Sequence, residues 1–303
     1  MPRIQFDYAH WTQQQIKYFY GQKSFNKNLH QPIVERIAQL VRAYDLDGVV
    51  LEVGFIPFDQ IKHIIVPLLQ KLREKFNTLK SGSSLEIHLV VPSLVPPSGS
   101  DDKASGLFLA ENLKSAYPFV NGFLVMTYDY FSHMRSKNAK VNYVFNAPLS
   151  GFVDLTYDYF VGTHPELADK LFLGLNFYGT EVVAQNIKKG RYLSDKLKQG
   201  SNEDTELFIS NWLGNNKKID FIIGGKFKEL LTSESSVLSS VMWDSTIQEH
   251  IFEFVEGDNV RLVFYPTPQS IKARVDFAKS RNLGGIMIWE LGQGLDSFYR
   301  ALE

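Results

Sequence analysis

The chain has 303 residues, with 32 Lys+Arg against 33 Asp+Glu, a net charge of −1 and no cysteine. These counts exclude a disulfide scaffold and any Cys-ligated zinc or iron–sulfur centre, and they give no electrostatic case for nucleic acid or an acidic membrane. Aromatics reach 14%, with 23 Phe, 14 Tyr and 4 Trp, and the length suits two average domains or one α/β barrel with an insertion.

The opening MPRIQFDYAHW has no basic region followed by an apolar run, so no signal peptide is read there. No apolar run approaches the ~18 residues of a membrane span. Six segments read as strands: Ile4–Tyr8, Gly48–Val53, Glu86–Pro92, Gly122–Tyr128, Leu171–Tyr178 and Gly285–Trp289. Several are nearly continuous apolar runs, as expected of parallel strands buried on both faces. Helical spacing recurs between them. Gln31–Tyr44 carries Val34, Ile37, Ala38 and Val41 on one face, Phe58–Phe76 carries Ile61, Ile65, Leu68, Leu69 and Leu72, and Ser270–Ser280 carries Ile271, Val275 and Ala278. Strand–helix alternation predicts an α/β fold with a parallel sheet.

Ser93–Ser105, rich in Pro, Ser and Gly, is a long loop after a strand. It reads either as a substrate loop of a barrel enzyme or as a plain surface connection. The rhythm breaks between about Thr180 and Thr267. Ser201–Thr205 and Ser233–Ser240 are polar and read as exposed loops. Val241–Val255 and Val260–Tyr265 read as the arms of a hairpin around Glu256-Gly257-Asp258-Asn259. The expected division is 1–179 for the barrel strands, 180–267 for an α+β insertion and 268–303 for the barrel's end. No phosphate loop, nucleophile elbow or metal-ligand spacing is found. No metal or cofactor is therefore assigned.

Three motifs stand in order: Met126-Thr-Tyr128-Asp129-Tyr130, Asn176-Phe-Tyr178-Gly179 and Trp289-Glu-Leu-Gly-Gln-Gly-Leu-Asp296. Together they resemble the later strands of glycoside hydrolase family 18, the chitinase barrels. Asn146-Ala-Pro-Leu149 and the closing WELGQGLD are similar to the chitinase-domain-containing branch, the stabilin-interacting chitinase-like proteins. The resemblance runs from about Arg3 to the C-terminus, apart from roughly Lys188–Ser240. It implies a TIM (β/α)8 barrel and a secretory or lysosomal route. It also implies an oligosaccharide of amino sugars as ligand and a scavenger-type receptor as a further partner. It matches Arg3–Thr12 to the family's third strand. The first two strands are then missing, which reads as a fragment, a shortened isoform or a late start.

The family's acid-bearing strand reads D-G-x-D-x-D-x-E, where the final Glu is the general acid and the substrate's own N-acetyl oxygen is the nucleophile. Here the segment is Asp47-Gly48-Val49-Val50-Leu51-Glu52-Val53-Gly54. Gly54 stands in the acid's place and has no proton to give. Alternation puts Val50, Glu52 and Gly54 on the inner face. Glu52 then sits roughly 6–7 Å deeper than the acid. Three readings of Glu52 stay open: a relic, a structural carboxylate bonded inside the barrel, or a displaced catalyst. The binding side matches the family better. By resemblance Tyr128 and Asp129 contact the sugar and Trp289 forms its floor. Met126 shares the face of Tyr128. Tyr178, Trp11, Phe55, Trp243 and Tyr130 are further candidates. The expectation is a carbohydrate-binding, chitinase-like protein without hydrolysis. The alternatives are a glycosidase acting through Glu52 or Asp129, or a scaffold whose insertion binds a protein.

Overall fold

The computed structural model describes residues 1–6, 30–53, 61–79, 85–94, 109–130, 145–184, 217–257 and 259–302. In chain order β1 (Arg3–Phe6), α1 (His30–Ala43), β2 (Gly48–Val53), α2 (Ile61–Leu79), β3 (Glu86–Pro92), α3 (Ala110–Ala116), β4 (Gly122–Met126), α4 (Asp154–Thr163) and β5 (Leu171–Asn176) alternate strand with helix. After a second group of strands, α6 (Pro268–Ser280), β11 (Gly285–Trp289) and the short α7 (Ser297–Arg300) close the chain, where α5 is the helix Gly224–Thr232.

The six strands form one parallel sheet in the order β1-β2-β3-β4-β5-β11. It is an α/β fold built on a parallel sheet. Among the described residues no hydrogen-bonded pairing joins β1 to β11. Their side chains do meet: the Arg3 guanidinium of β1 lies 4.6 Å from the ring centre of Trp289 on β11. The sheet is therefore rolled, with its two outer strands facing across the interior.

The reason these segments became strands is visible in their outer faces. Val49, Leu51, Ile87, Leu89, Val91, Phe123, Val125, Leu171, Leu173 and Leu175 are all buried against the helices. Branched and aromatic side chains fit that half of the pleat. On α1 the buried set is His30, Val34, Ile37, Ala38 and Val41, a helical stripe facing the sheet. On α2 it is Ile64, Ile65, Leu68, Leu69, Leu72 and Phe76. Pro268 at the first turn and a reciprocal Thr267–Ser270 capping box fix the start of α6. Gly48 has φ +155, and a Cβ there would sit 2.1 Å from the Glu86 carbonyl oxygen, so the entry to β2 admits glycine alone.

The second sheet is antiparallel. β6 (Gly179–Ala184), β7 (Lys217–Ile222), β8 (Val237–Asp244), β9 (Glu249–Glu256) and β10 (Asn259–Phe264) run in the order β7-β6-β10-β9-β8. The hairpin of β9 and β10 turns through Gly257 at φ 61. Its first arm is shorter than the expected Val241–Val255. That stretch holds two strands, broken where the Asp244 carboxylate accepts the Thr246 and Ile247 amides and Gln248 takes φ 56. Ser233–Ser240, expected as a loop, becomes the edge strand β8 from Val237 onward, with the Ser239 hydroxyl donating to Glu253 at 2.7 Å. Within the sheet, Glu181 is 3% exposed and ion-paired to both Arg261 and Lys226.

Strand ends also differ from the expectation. β4 stops at Met126 because the Thr127 hydroxyl donates to the Gly174 carbonyl at 2.9 Å and Asp129 turns to φ 61. β5 stops at Asn176. β1 is described over Arg3–Phe6, and the expected Asp7 and Tyr8 lie outside the described residues.

Candidate functional site

Inside the rolled sheet is a cavity of about 360 Å³. Its walls come from every strand of the parallel sheet but β5: Arg3 of β1, Val50 and Glu52 of β2, Val90 of β3, Leu124 and Met126 of β4, and Met287, Ile288 and Trp289 of β11. Tyr128 and Asp129, just past β4, complete it. Alternation explains the set apart from Ile288, since residues two apart share a face. Glu52, Tyr128, Asp129 and Trp289 lie toward the C-terminal strand ends, where parallel α/β sheets of this kind place their sites, while Arg3 reaches them from the start of β1.

On the β1–β2 side the dominant feature is an ion pair. Arg3 faces Val50 in register, and its long side chain reaches diagonally to Glu52. Its Nε donates to the Glu52 carboxylate at 2.5 Å, and the same guanidinium covers the Trp289 ring. The two side chains are 36% and 18% exposed. Glu52 is therefore a paired carboxylate. One cation bridges the strand-two carboxylate and the Trp289 ring.

The β4–β5 side is a hydrogen-bonded network. Tyr178 donates from its hydroxyl to Asp129 Oδ1 at 2.5 Å. Asn146 Oδ1 accepts the Asp129 backbone N–H at 2.8 Å. Asn146 Nδ2 donates to the Tyr178 carbonyl at 3.3 Å, which also accepts from Asn176 Nδ2 at 2.8 Å. The Tyr130 N–H donates to the Asn146 carbonyl at 3.1 Å. The left-handed backbone of Asp129 is a conformation that Asp tolerates better than most residues, and the Asn146 side chain fixes it. Tyr128 packs edge-on against Tyr178 with ring centres 6.3 Å apart, and its hydroxyl points to the Met287 sulfur at 3.9 Å. Gly174 lies under this corner. A Cβ there would come 2.4 Å from the Val125 carbonyl oxygen and 3.0 Å from the Tyr128 ring.

Burial shapes the protonation of these groups. It raises the Asp129 carboxyl above the ordinary carboxylate range, partly offset by the Tyr178 hydrogen bond. Burial and then the Asp129 charge raise the hydroxyls of both Tyr128 and Tyr178 well above normal. Both phenols thus act as neutral donors.

Of the residues expected from sequence, Glu52, Met126, Tyr128, Asp129 and Trp289 line one cavity, and Tyr178 touches it through Asp129. Tyr130 does not belong there. It is 1% exposed, packs against Phe152 at 5.3 Å, and burial pushes its hydroxyl up to about 12. Its side chain turns to the opposite side of the segment from Asp129. Trp243 lies on β8 against His250 at 4.7 Å and is not among the lining residues. Gly54, Trp11 and Phe55 lie outside the described residues. Two residues were missed. Asn146 was noted only as part of a motif, and nothing in its neighbours signals that its amide clips two other segments. Arg3 had a weak signal, since it alternates with Gln5 against the apolar Ile4 and Phe6 and so marks a polar inner face. Among the described residues no cluster of His, Asp and Glu could hold a metal ion, and no helix is long and apolar enough to cross a membrane.

Residues 11–294 match the family model described as Glycosyl hydrolases family 18. Solved structures agree in fold. The spore cortex-lytic enzyme SleL of Bacillus megaterium QM B1551 is similar at a TM-score of 0.66 and 16% identity, over 99% of this chain and 58% of that one. A class V chitinase mutant from Nicotiana tobaccum in complex with NAG4 gives 0.66 and 15%, over 99% and 78%. A plant class V chitinase mutant from Cycas revoluta in complex with (GlcNAc)3 gives 0.62 and 16%, over 90% and 72%. The chain thus spans a little under three fifths of the SleL length. At these identities the likeness shows the fold.

Proposed function

The chain belongs to glycosyl hydrolases family 18, and we propose that it is a carbohydrate-binding member that takes amino-sugar oligosaccharides without cleaving them. The carrying observation is the Arg3 guanidinium, bonded to Glu52 at 2.5 Å and stacked over Trp289. General acid catalysis needs a carboxylic acid within hydrogen-bond reach of the leaving oxygen. Gly54 has no side chain, and the Glu52 carboxylate is held by the Arg3 guanidinium. The recognition elements, in contrast, converge: an indole face for the C–H side of a pyranose, two phenols, and a carboxyl that accepts hydrogen bonds. Neighbours solved with NAG4 and (GlcNAc)3 support an oligomer of N-acetylated amino sugars as ligand. Asn146-Ala-Pro-Leu149 and WELGQGLD support placement in the stabilin-interacting branch. With that placement go a secreted or lysosomal location and a scavenger-type receptor as partner. Calorimetric titration with chitooligosaccharides tests the ligand. Trp289→Ala is expected to weaken binding about tenfold, ~1.4 kcal/mol, and unchanged affinity defeats the floor assignment.

One observation favours a second reading, a glycosidase acting through Asp129. Its carboxyl lines the cavity and is raised by burial, as a proton donor requires. Turnover of a fluorogenic chitooligosaccharide that disappears in Asp129→Asn would establish this alternative.

A further inference from the structure

The amide of Asn146 holds both the Asp129 backbone and the Tyr178 carbonyl, and something must hold Asn146. The next residue, Ala147, is fully buried, and both of its backbone polar groups are engaged by charged side chains. Its N–H donates to Glu249 Oε1 at 3.3 Å. Its carbonyl accepts from Arg274 Nη2. Glu249 and Arg274 are themselves paired at 2.9 Å and are 6% and 3% exposed. The other nitrogen of the Arg274 fork, Nη1, donates to the Gln248 and Ser270 carbonyls, each at 2.9 Å. Glu249 opens β9 of the antiparallel sheet, and Arg274 sits mid-way along α6.

A buried ion pair is a poor way to gain stability, because the desolvation of both charges offsets most of their attraction. What this pair does have is geometry. A planar guanidinium and a carboxylate fix the two peptide units that flank the Ala147 Cα more tightly than apolar contacts could. We propose that Glu249 and Arg274 are positioning residues for the cavity, acting through Ala147 on Asn146, and thereby on Asp129 and Tyr178. On this account the antiparallel sheet is wired into the site: β9 supplies one half of the clamp and the parallel-sheet helix α6 the other.

The inference rests on the reading that the cavity binds an amino-sugar oligosaccharide, and the test separates the two. The informative protein is the full chain carrying Glu249→Met with Arg274→Met. Apolar replacement of both partners removes the clamp without leaving a buried lone charge. The expected result is a single cooperative melting transition, lowered by the Ala147 groups left unmatched, chitotetraose affinity by calorimetry at least tenfold weaker, and a local loss of protection. The amides of Asp129 and Tyr130, which donate to Asn146, should exchange about tenfold faster, while those in the middle of β2 and β3 keep the parent's protection. Parental affinity together with parental protection at Asp129 and Tyr130 overturns the proposal. Should the unaltered protein bind no chitooligosaccharide, the saccharide reading fails by itself, and exchange at these two amides still decides the clamp. If the double variant does not fold, Arg274→Lys and Glu249→Gln replace it. Lysine keeps the charge but loses the fork, and glutamine keeps an oxygen for the Ala147 N–H. Faster exchange at Asp129 in the lysine variant, with near-parental exchange in the glutamine variant, supports the clamp. Parental exchange in both overturns it.

Discussion

The two walls of the cavity are built on opposite plans. On the β1–β2 wall a carboxylate at the strand end is tied to a guanidinium from the neighbouring strand, and the same cation lies on the aromatic floor. On the β4–β5 wall a carboxyl is raised by burial, takes a phenolic hydrogen bond and has its backbone fixed by a buried amide. The first wall has its charge satisfied internally. The second presents Asp129 and Tyr128 to the cavity and holds Asp129 in place with the buried Asn146 amide and the Tyr178 hydroxyl. The contrast sets an ion-paired carboxylate and a carboxyl shifted by burial on different strands of one cavity.

The sharpest way to break the comparison is to dismantle the ordered wall. Asn146→Ala removes the acceptor of the Asp129 N–H and one of two donors to the Tyr178 carbonyl. Leaving such groups buried and unmatched costs about 1–3 kcal/mol each, so a loss of about 2–3 kcal/mol is expected in chemical denaturation, with weaker oligosaccharide binding. A loss below about 0.5 kcal/mol would show that Asn146 fixes nothing. Arg3→Ala on the other wall should be nearly silent by the same measurement.

The pH response sharpens the contrast next. Outside both walls, buried His30 on α1 has its pKa lowered to about 4, by burial first and Lys71 second. A depressed base takes up protons more readily when unfolded. Its contribution to stability is therefore present above pH ~6.5 and is lost as pH falls toward 4, by about 2–3 kcal/mol. His30→Gln should flatten that acid loss, as followed by thermal melts across pH 4–7. Asp129 has the opposite sign. Its raised folded pKa makes the fold less stable as pH rises through the range just above that of an ordinary carboxylate. Asp129→Asn should therefore steepen the gain of stability with pH. An unchanged profile in both variants would contradict the burial of these groups.

The smallest effect belongs to the satisfied wall. The Arg3–Glu52 pair is partly exposed and worth at most about 1 kcal/mol. Arg3→Ala should change the melting temperature little but uncover the Trp289 ring, raising oligosaccharide affinity a few-fold. Lower affinity would show that the guanidinium helps the ligand instead of competing with it.

Much of this architecture was readable in the sequence because periodicity survives folding. The apolar runs HLVV and FLVM became buried parallel strands, and the stripes of α1 and α2 face the sheet. The two-residue alternation brought Val50 with Glu52, and Leu124 with Met126 and Tyr128, to one interior. What escaped depends on contacts far apart in sequence. Arg3 meets Glu52 across 49 positions, and Glu249 and Arg274 close on Ala147 across more than 100. The turn at Ser245–Gln248 was missed for a local reason. It has no Gly or Pro, and its signal is only an Asp side chain folding back on the next amides. Tyr130 was misplaced because position after a strand does not tell which side of an irregular segment a side chain takes.

The central claim is binding without cleavage, and one measurement addresses it most directly. A fluorogenic chitooligosaccharide is incubated with the protein at a concentration where calorimetry shows it bound, and release of the fluorophore is followed. The account predicts saturable binding and release no faster than in buffer. Release that saturates with substrate and vanishes in Asp129→Asn or Glu52→Gln would contradict it.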